Sequence, residues 1–208
     1  MLVGAYPIND MFFVGNGGQI HHYDGTKFTD MVSPTTKDLR SVWGTSSTNV
    51  WACGYNSTND ESVLIHYDGN SWTEDPFSIS QSTRNYGIGA VWSFDSAGHK
   101  FTAISGTRVL RKTDNGSWRL DTSALKNELP SGGYIGIGIS GNTSNDMMAL
   151  GGWGFVAHWN GKTWKRYDQL LDYNNPFYGA AAFSMKGNTA CAVGVKSGNS
   201  WVAIGRRK

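Results

Sequence analysis

Apolar residues in this chain come in short alternating runs broken by Gly, Asn, Ser and Asp, and the runs return at a steady interval. Aligned on the glycine that closes the second run, "VGAYPINDMFFVG" (3–15), "VWGTSSTNVWACG" (42–54), "ISGNTSNDMMALG" (139–151) and "AFSMKGNTACAVG" (182–194) match without a gap. A further copy, "VWSFDSAGHKFTAIS" (91–105), reads as two residues longer in its internal turn and ends in Ser. Behind each pair of runs comes a Gly/Asn/Ser turn and a third run such as "VLIHYD" (63–68). An Asp-Gly turn then leads to a fourth run opened by an aromatic, as in "SWTED" (71–75). Alternation over runs this short, bounded by turn residues, predicts four short antiparallel strands per unit. Helical solenoids need a 3.6-residue period, which the chain lacks.

The turn between the third and fourth runs looks at first like a ligand loop, with a carboxylate, a glycine and a large aromatic close together. It recurs as "HYDGTKF" (22–28), "HYDGNSW" (66–72), "KTDNGSW" (112–118) and "HWNGKTW" (158–164), so the anchors Asp24, Asp68, Asp114 and Asn160 are 44, 46 and 46 residues apart. A catalytic constellation is normally unique in a chain, whereas a structural device returns with every unit. Asp or Asn accepts turn N–H groups, Gly takes a positive φ, and Phe28, Trp72, Trp118 or Trp164 fills space between units.

Four-stranded units of this length in tandem predict β-propeller blades, none of which can bury both faces alone. The expected fold is all-β: a propeller of about five four-stranded antiparallel blades, the last possibly three-stranded, forming one domain over residues 1–208. The blades are placed at about 2–33, 38–79, 86–125, 134–173 and 178–208. Strand one of each is expected near the axis at Val3–Tyr6, Val42–Gly44, Gly89–Trp92, Gly136–Ser140 and Gly179–Ser184. The last unit, ending "WVAIGRRK", aligns with "FVAHWN" and stops where a fourth strand begins in the others. Either the last blade lacks its outer strand, or the chain is part of a larger ring; the expected state is a monomer or such a part.

The strings "VWGTSSTNVWACG" and "LIHYDGNSWTE" resemble a repeat of bacterial secreted and lipoprotein-like β-propellers, roughly V-W-G-x-S-x-x-D-V-W-A-V-G followed by H-Y-D-G-x-x-W. The resemblance covers nearly the whole chain, most clearly in blades one, two and four. The Asp-Gly turn resembles the Asp-box of sialidases, with one residue fewer between Asp and Trp, and that box is itself a folding device. In scale the chain is similar to the five-bladed tachylectin-type propellers. The resemblance supports the fold far more than a function; the expected function is a non-catalytic, lectin-like recognition or scaffold module, extracellular or at the cell surface or periplasm in the parent protein.

Composition agrees with strands and turns. Of 208 residues 27 are Gly, 13% are aromatic and only 16% charged, a profile of tight turns rather than helices. The net charge of +2 is spread thinly apart from the terminal "GRRK", so no basic stripe suits a phosphate backbone and nucleic acid is not an expected partner. No run is long enough for a membrane span, and "MLVGAYPIND" lacks the features of a signal peptide. Cys53 and Cys191 lie in apolar runs of blades two and five and are expected to be reduced and apart.

His22, His66 and His158 invite a three-histidine metal site. They are repeat equivalents, with Lys112 and Ile204 in the same slot of the other units, and ring geometry holds such positions apart, so no metal site is expected. The chain has no G-x-S-x-G, no phosphate-cradling loop with its lysine and no H-E-x-x-H. No catalytic residue and no cofactor is assigned. The alternative is a propeller glycoside hydrolase or lyase with an axial active site.

A binding face is assigned from topology. Turns that enter strand one and turns between strands two and three open on the same side of a propeller. Tyr86, Tyr134 and Tyr178 open three successive blades there, Trp153 lies in the "GGWGF" turn, and Asn85, Arg84 and Arg40 supply donors. Flat rings beside such donors suit a carbohydrate or a protein partner. The competing reading is that the tyrosines only plug the spaces between blades.

Overall fold

A computed structural model describes residues 2–5, 9–56, 61–77, 87–97, 99–105, 109–114, 116–120, 138–152, 154–167, 179–196 and 198–206. Blade one comprises β1 (Leu2–Ala5), β2 (Met11–Val14), β3 (Ile20–Tyr23) and β4 (Phe28–Asp30). Blade two comprises β5 (Leu39–Ser46), β6 (Asn49–Tyr55), β7 (Ser62–Tyr67) and β8 (Trp72–Glu74). Blade three holds β9 (Ala90–Ser96), β10 (His99–Ser105), β11 (Val109–Thr113) and β12 (Arg119–Leu120), and blade four holds β13 (Gly138–Thr143), β14 (Asp146–Leu150), β15 (Val156–Trp159) and β16 (Trp164–Arg166). Blade five has three strands, β17 (Gly179–Lys186), β18 (Thr189–Lys196) and β19 (Asn199–Arg206). The described residues contain no α-helix.

Each sheet is an antiparallel meander in sequence order. The first strands are the inner ones, packing in the succession β1, β5, β9, β13, β17. This is the expected β-propeller, with four sheets of four strands and one of three among the described residues. Among the described residues β17 does not pack on β1 as the other inner strands pack on their neighbours.

The seams between blades are the core, because successive side chains of a strand point to opposite faces. In the first seam Phe12, Val14 and Ile20 of blade one meet Ala52, Ile65 and Trp72 of blade two. The other face of blade two carries Trp51, Cys53 and Leu64 onto Val91, Ile104 and Leu110 of blade three. Leu150 and Val156 of blade four pack with Ala192 and Phe183 of blade five. Among the described residues the outermost faces carry exposed apolar side chains: Phe28 of blade one is 61% exposed, and Val202 and Ile204 of blade five are 64% and 61% exposed.

Blade three departs from the expected alignment by one residue. Phe101 and Ala103 point into the seam with blade four, while Ile104 and Leu110 face blade two. A one-residue slip moves every side chain of a strand to the opposite face. Lys112 therefore lies in the place of Tyr67 rather than His66, as the pairs Leu110↔Leu120 and Arg111↔Arg119 require when set against His66↔Thr73 and Tyr67↔Trp72. Arg111 takes the opposite face, with its guanidinium 4.4 Å from the centroid of Trp159 in blade four.

The Asp-Gly turns behave as expected in three blades. Asp24 Oδ1 accepts the backbone N–H groups of Thr26 and Lys27, at 2.9 and 3.0 Å. Asp68 Oδ1 accepts those of Asn70 and Ser71, and Asn160 Oδ1 those of Lys162 and Thr163, all at 2.9 Å. In blade three Asp114 instead accepts the Lys100 N–H at 2.9 Å, and its own backbone is left-handed at φ 51. Gly69 has φ 98, a region that only glycine adopts readily.

Candidate functional site

The face where chain segments enter the inner strands is seen best around Arg40. It stands at the start of β5, flanked by Leu39 at 3% exposure, which anchors the strand in the first seam. The Arg40 guanidinium lies 4.2 Å from the centroid of the Tyr55 ring at the end of β6. Its Nη2 is 3.7 Å from Asp38 Oδ2. Arg40 Nε is buried and has no hydrogen-bond partner among the described residues.

Three blades meet here. Asp38 Oδ1 accepts the Gly17 N–H from blade one at 2.9 Å. Gly54 lies directly against the Asp38 carbonyl, and Gly87, leading into blade three, lies against the Tyr55 ring, so neither position has room for a side chain. The result is a cation stacked on an aromatic, backed by a carboxylate, at a junction fixed by close backbone contacts. A half-exposed guanidinium on a flat ring presents donors to a carboxylate or hydroxyl above it and an apolar face beside it. Of the residues assigned to this face from sequence, Arg40 alone is described. Tyr86, Tyr134, Tyr178, Trp153, Asn85 and Arg84 lie outside the described residues. Asp38 and Tyr55 were missed, because their role depends on a stacking contact across two strands that no local motif marks.

The histidines are each used within their own blade. His22 Nε2–H donates to Asp10 Oδ1 at 2.6 Å, His66 Nε2–H to Asn49 Oδ1 at 2.8 Å, and His158 Nε2–H to Asp146 Oδ1 at 2.7 Å. The acceptors are the Asp or Asn at the start of the second strand, so each bond ties strand three to the inner hairpin. His22 stacks on Phe12 at 4.5 Å and His66 on Trp51 at 4.2 Å. Burial pushes the His66 pKa below its ordinary value of 6.5 and outweighs the attraction of Asp75. Asp24, bonded first by the Thr26 hydroxyl and then by backbone N–H groups, is held down at about 2. His21, with no partner evident in the sequence, pairs across the β3–β4 ladder with Asp30 at 2.7 Å. Cys53 and Cys191 are both free thiols, and burial drives the Cys53 pKa far upward.

A second concavity lies in the seam between blades four and five, a cavity of about 280 Å³ walled by Met148, Val156 and Tyr167 on one side and Met185, Ala190 and Ala203 on the other. His158 and Arg206 also line it. Its position by the start of β18 and the end of β19 places it on the opposite face of the sheets from Arg40.

No family model matches the chain, and no curated protein matches it. Solved structures do. YCF48 from Cyanidioschyzon merolae is 17% identical over the whole of this chain and 69% of that one, with a TM-score of 0.66. A structure of YCF48 bound to D1 peptide is 15% identical over the whole of this chain and 63% of that one, with a TM-score of 0.62. The fungal lectin of Aleuria aurantia, a six-bladed β-propeller with a fucose recognition mode, is 14% identical over 96% of this chain and 73% of that one, with a TM-score of 0.52. The chain thus spans 63% to 73% of the length of these proteins. At these identities the likeness establishes the fold, a β-propeller.

Proposed function

We propose that this chain is a non-catalytic recognition or scaffold module, binding a glycan or a protein partner on the face formed by the turns that enter the inner strands. The observation that carries the reading is the Arg40–Tyr55–Asp38 cluster, where a cation stacked on a ring sits 38% exposed at a junction of three blades. The histidines support it, since His22, His66 and His158 are committed to blade-internal bonds rather than aimed at a common point. YCF48 bound to D1 peptide and the fucose-recognising fungal lectin are propellers of the same fold, which makes peptides and sugars the probes of choice. The repeat strings and Asp-box-like turns support membership of the bacterial tandem-repeat propellers, and with it a secreted or cell-surface setting for the parent protein.

The test is a glycan array and a peptide array read alongside turnover of generic glycoside substrates. The expected result is saturable binding of one class, no turnover, and a loss of about tenfold or more in affinity for Arg40→Ala and Tyr55→Ala. Binding that survives both substitutions intact overturns the assigned face, and hydrolysis of a glycoside overturns the non-catalytic reading.

A further inference from the structure

In blades one, two and four the histidine of the third strand has a neighbour on either side. His22, His66 and His158 pair on the inner side with Phe12, Trp51 and Met148, and on the outer side with Thr29, Thr73 and Lys165. Each bonds an acceptor two residues before its inner partner, namely Asp10, Asn49 and Asp146.

Blade three departs from this pattern at each of the three places. Arg111 pairs with Ala103 on the inner side and with Arg119 on the outer, so a guanidinium stands where the imidazole was and a second one stands opposite it. Two residues before Ala103 comes Phe101, which puts a buried aromatic where the other blades carry the acceptor. Like charges directly opposite each other on a sheet repel. A structural device returns with every unit, and a unit that breaks the repeat at a cost to its own ladder marks a candidate site.

The substituted side chains share one hollow. Phe101, Arg111, Thr113, Gly116, Ser117 and Arg119 line a cavity of about 450 Å³, and none of the described residues lining it is acidic. Phe101 belongs to the seam with blade four, and the Arg111 guanidinium rests on Trp159 of that blade, which fixes the plane of its donors. Thr113, Ser117 and Arg119 are exposed, so the hollow opens to solvent beside the turn between β11 and β12. Its size suits a small ligand.

We propose that this hollow binds the phosphate group of a phosphomonoester between Arg111 and Arg119. A planar guanidinium donates two parallel N–H bonds to one oxyanion, and the hydroxyls of Thr113 and Ser117 add neutral donors at the same opening. A phosphomonoester brings nearly two charges and three acceptor oxygens to this pair of cations, whereas a carboxylate or a sulfate ester brings a single charge. The bound group also offsets the repulsion along the Arg111–Arg119 pair. The site lies beside the β9–β10 and β11–β12 turns, on the other face from Arg40. It goes beyond the recognition reading above and does not rest on it.

The probes are inorganic phosphate, glucose 6-phosphate and O-phosphoserine, with glucose 6-sulfate and acetate as controls at matched ionic strength. Titrated calorimetrically into the whole chain near neutral pH, at least one phosphate probe is expected to bind saturably at or below about 1 mM, and the controls about tenfold or more weaker. Which of the three binds tightest tells a free ion from a sugar or a peptide as the carrier. Arg111→Gln and Arg119→Gln are each expected to lose about tenfold or more in affinity. Should Arg111→Gln not fold without its stacking on Trp159, the exposed Arg119→Gln carries the test. The melting temperature of the wild type is expected to rise with the bound probe, and that of Arg119→Gln to stay level. No binding of any phosphate probe, equal binding of the sulfate ester, or unchanged affinity in folded Arg119→Gln overturns the proposal. None of these outcomes bears on the Arg40 face.

Discussion

Lys112 Nζ stands 2.6 Å from Asp75 Oδ2 across the seam between blades two and three. Asp75 Oδ1 accepts the Trp118 indole N–H at 2.8 Å, so both carboxylate oxygens of blade two are spent on blade three. The two charged side chains are only 20% and 15% exposed. Removing one member of a largely buried pair strands the other, whereas replacing both with apolar groups does not. Asp75→Ala is expected to destabilise by about 2–4 kcal/mol, and Asp75→Leu with Lys112→Met by clearly less. Urea unfolding of the single and double variants measures the difference; a loss below about 0.5 kcal/mol for Asp75→Ala contradicts it.

Trp72 and Phe28 are equivalent residues with different surroundings. Trp72 is 6% exposed against Phe12, while Phe28 is 61% exposed on the bare side of blade one. Trp72→Ala is expected to cost about 3–5 kcal/mol through the void it leaves in the seam, and Phe28→Ala no more than about 1 kcal/mol. Similar losses in thermal unfolding would mean that something covers Phe28 in solution.

The His66 imidazole has its pKa depressed by burial, so the unfolded chain takes up this proton more readily than the folded one. Its contribution to stability is complete above the unfolded value of 6.5 and is lost as pH falls from there through the folded value. Melting temperatures taken down this range are expected to fall more steeply for the wild type than for His66→Gln, which retains a donor toward Asn49. Parallel curves for the two proteins would refute the assignment.

Gly69 pairs a positive φ of 98 with a close neighbour: a Cβ there meets Thr48 Cγ2 at 2.6 Å. Gly69→Ala therefore carries both backbone strain and a clash with the inner hairpin, an expected loss of about 1–3 kcal/mol. Adding Thr48→Gly removes the clash and leaves the strain, so the double variant should recover part of the loss. Equal stabilities of Gly69→Ala and the double variant would show that the contact is harmless.

Glycine-closed runs made blades one, two, four and five legible, because alternation and turn residues agree in each of them. Blade three was misaligned because "FTAI" is apolar at both parities, so nothing in its composition shows which residues face which seam. Facing was decided by contacts with other blades, Phe101 with blade four and Ile104 with blade two. Arg40 was recognisable as a cation near an inner strand. Its stacking on Tyr55 was not, since the two residues meet only when β5 and β6 pair with an irregular register near Leu39.

Among the described residues the outer faces of blades one and five carry exposed apolar side chains, Phe28 on the one and Val202 and Ile204 on the other. Among the described residues each blade packs mainly on its neighbours, so stability behaves as a sum of nearest-neighbour terms. Among the described residues blades two, three and four are packed from two sides, and blades one and five from one. Unfolding should then fray inward from the ends, with exchange of β2 and β18 amides running ahead of β6 and β10, and the seam held by Lys112 and Asp75 parting last.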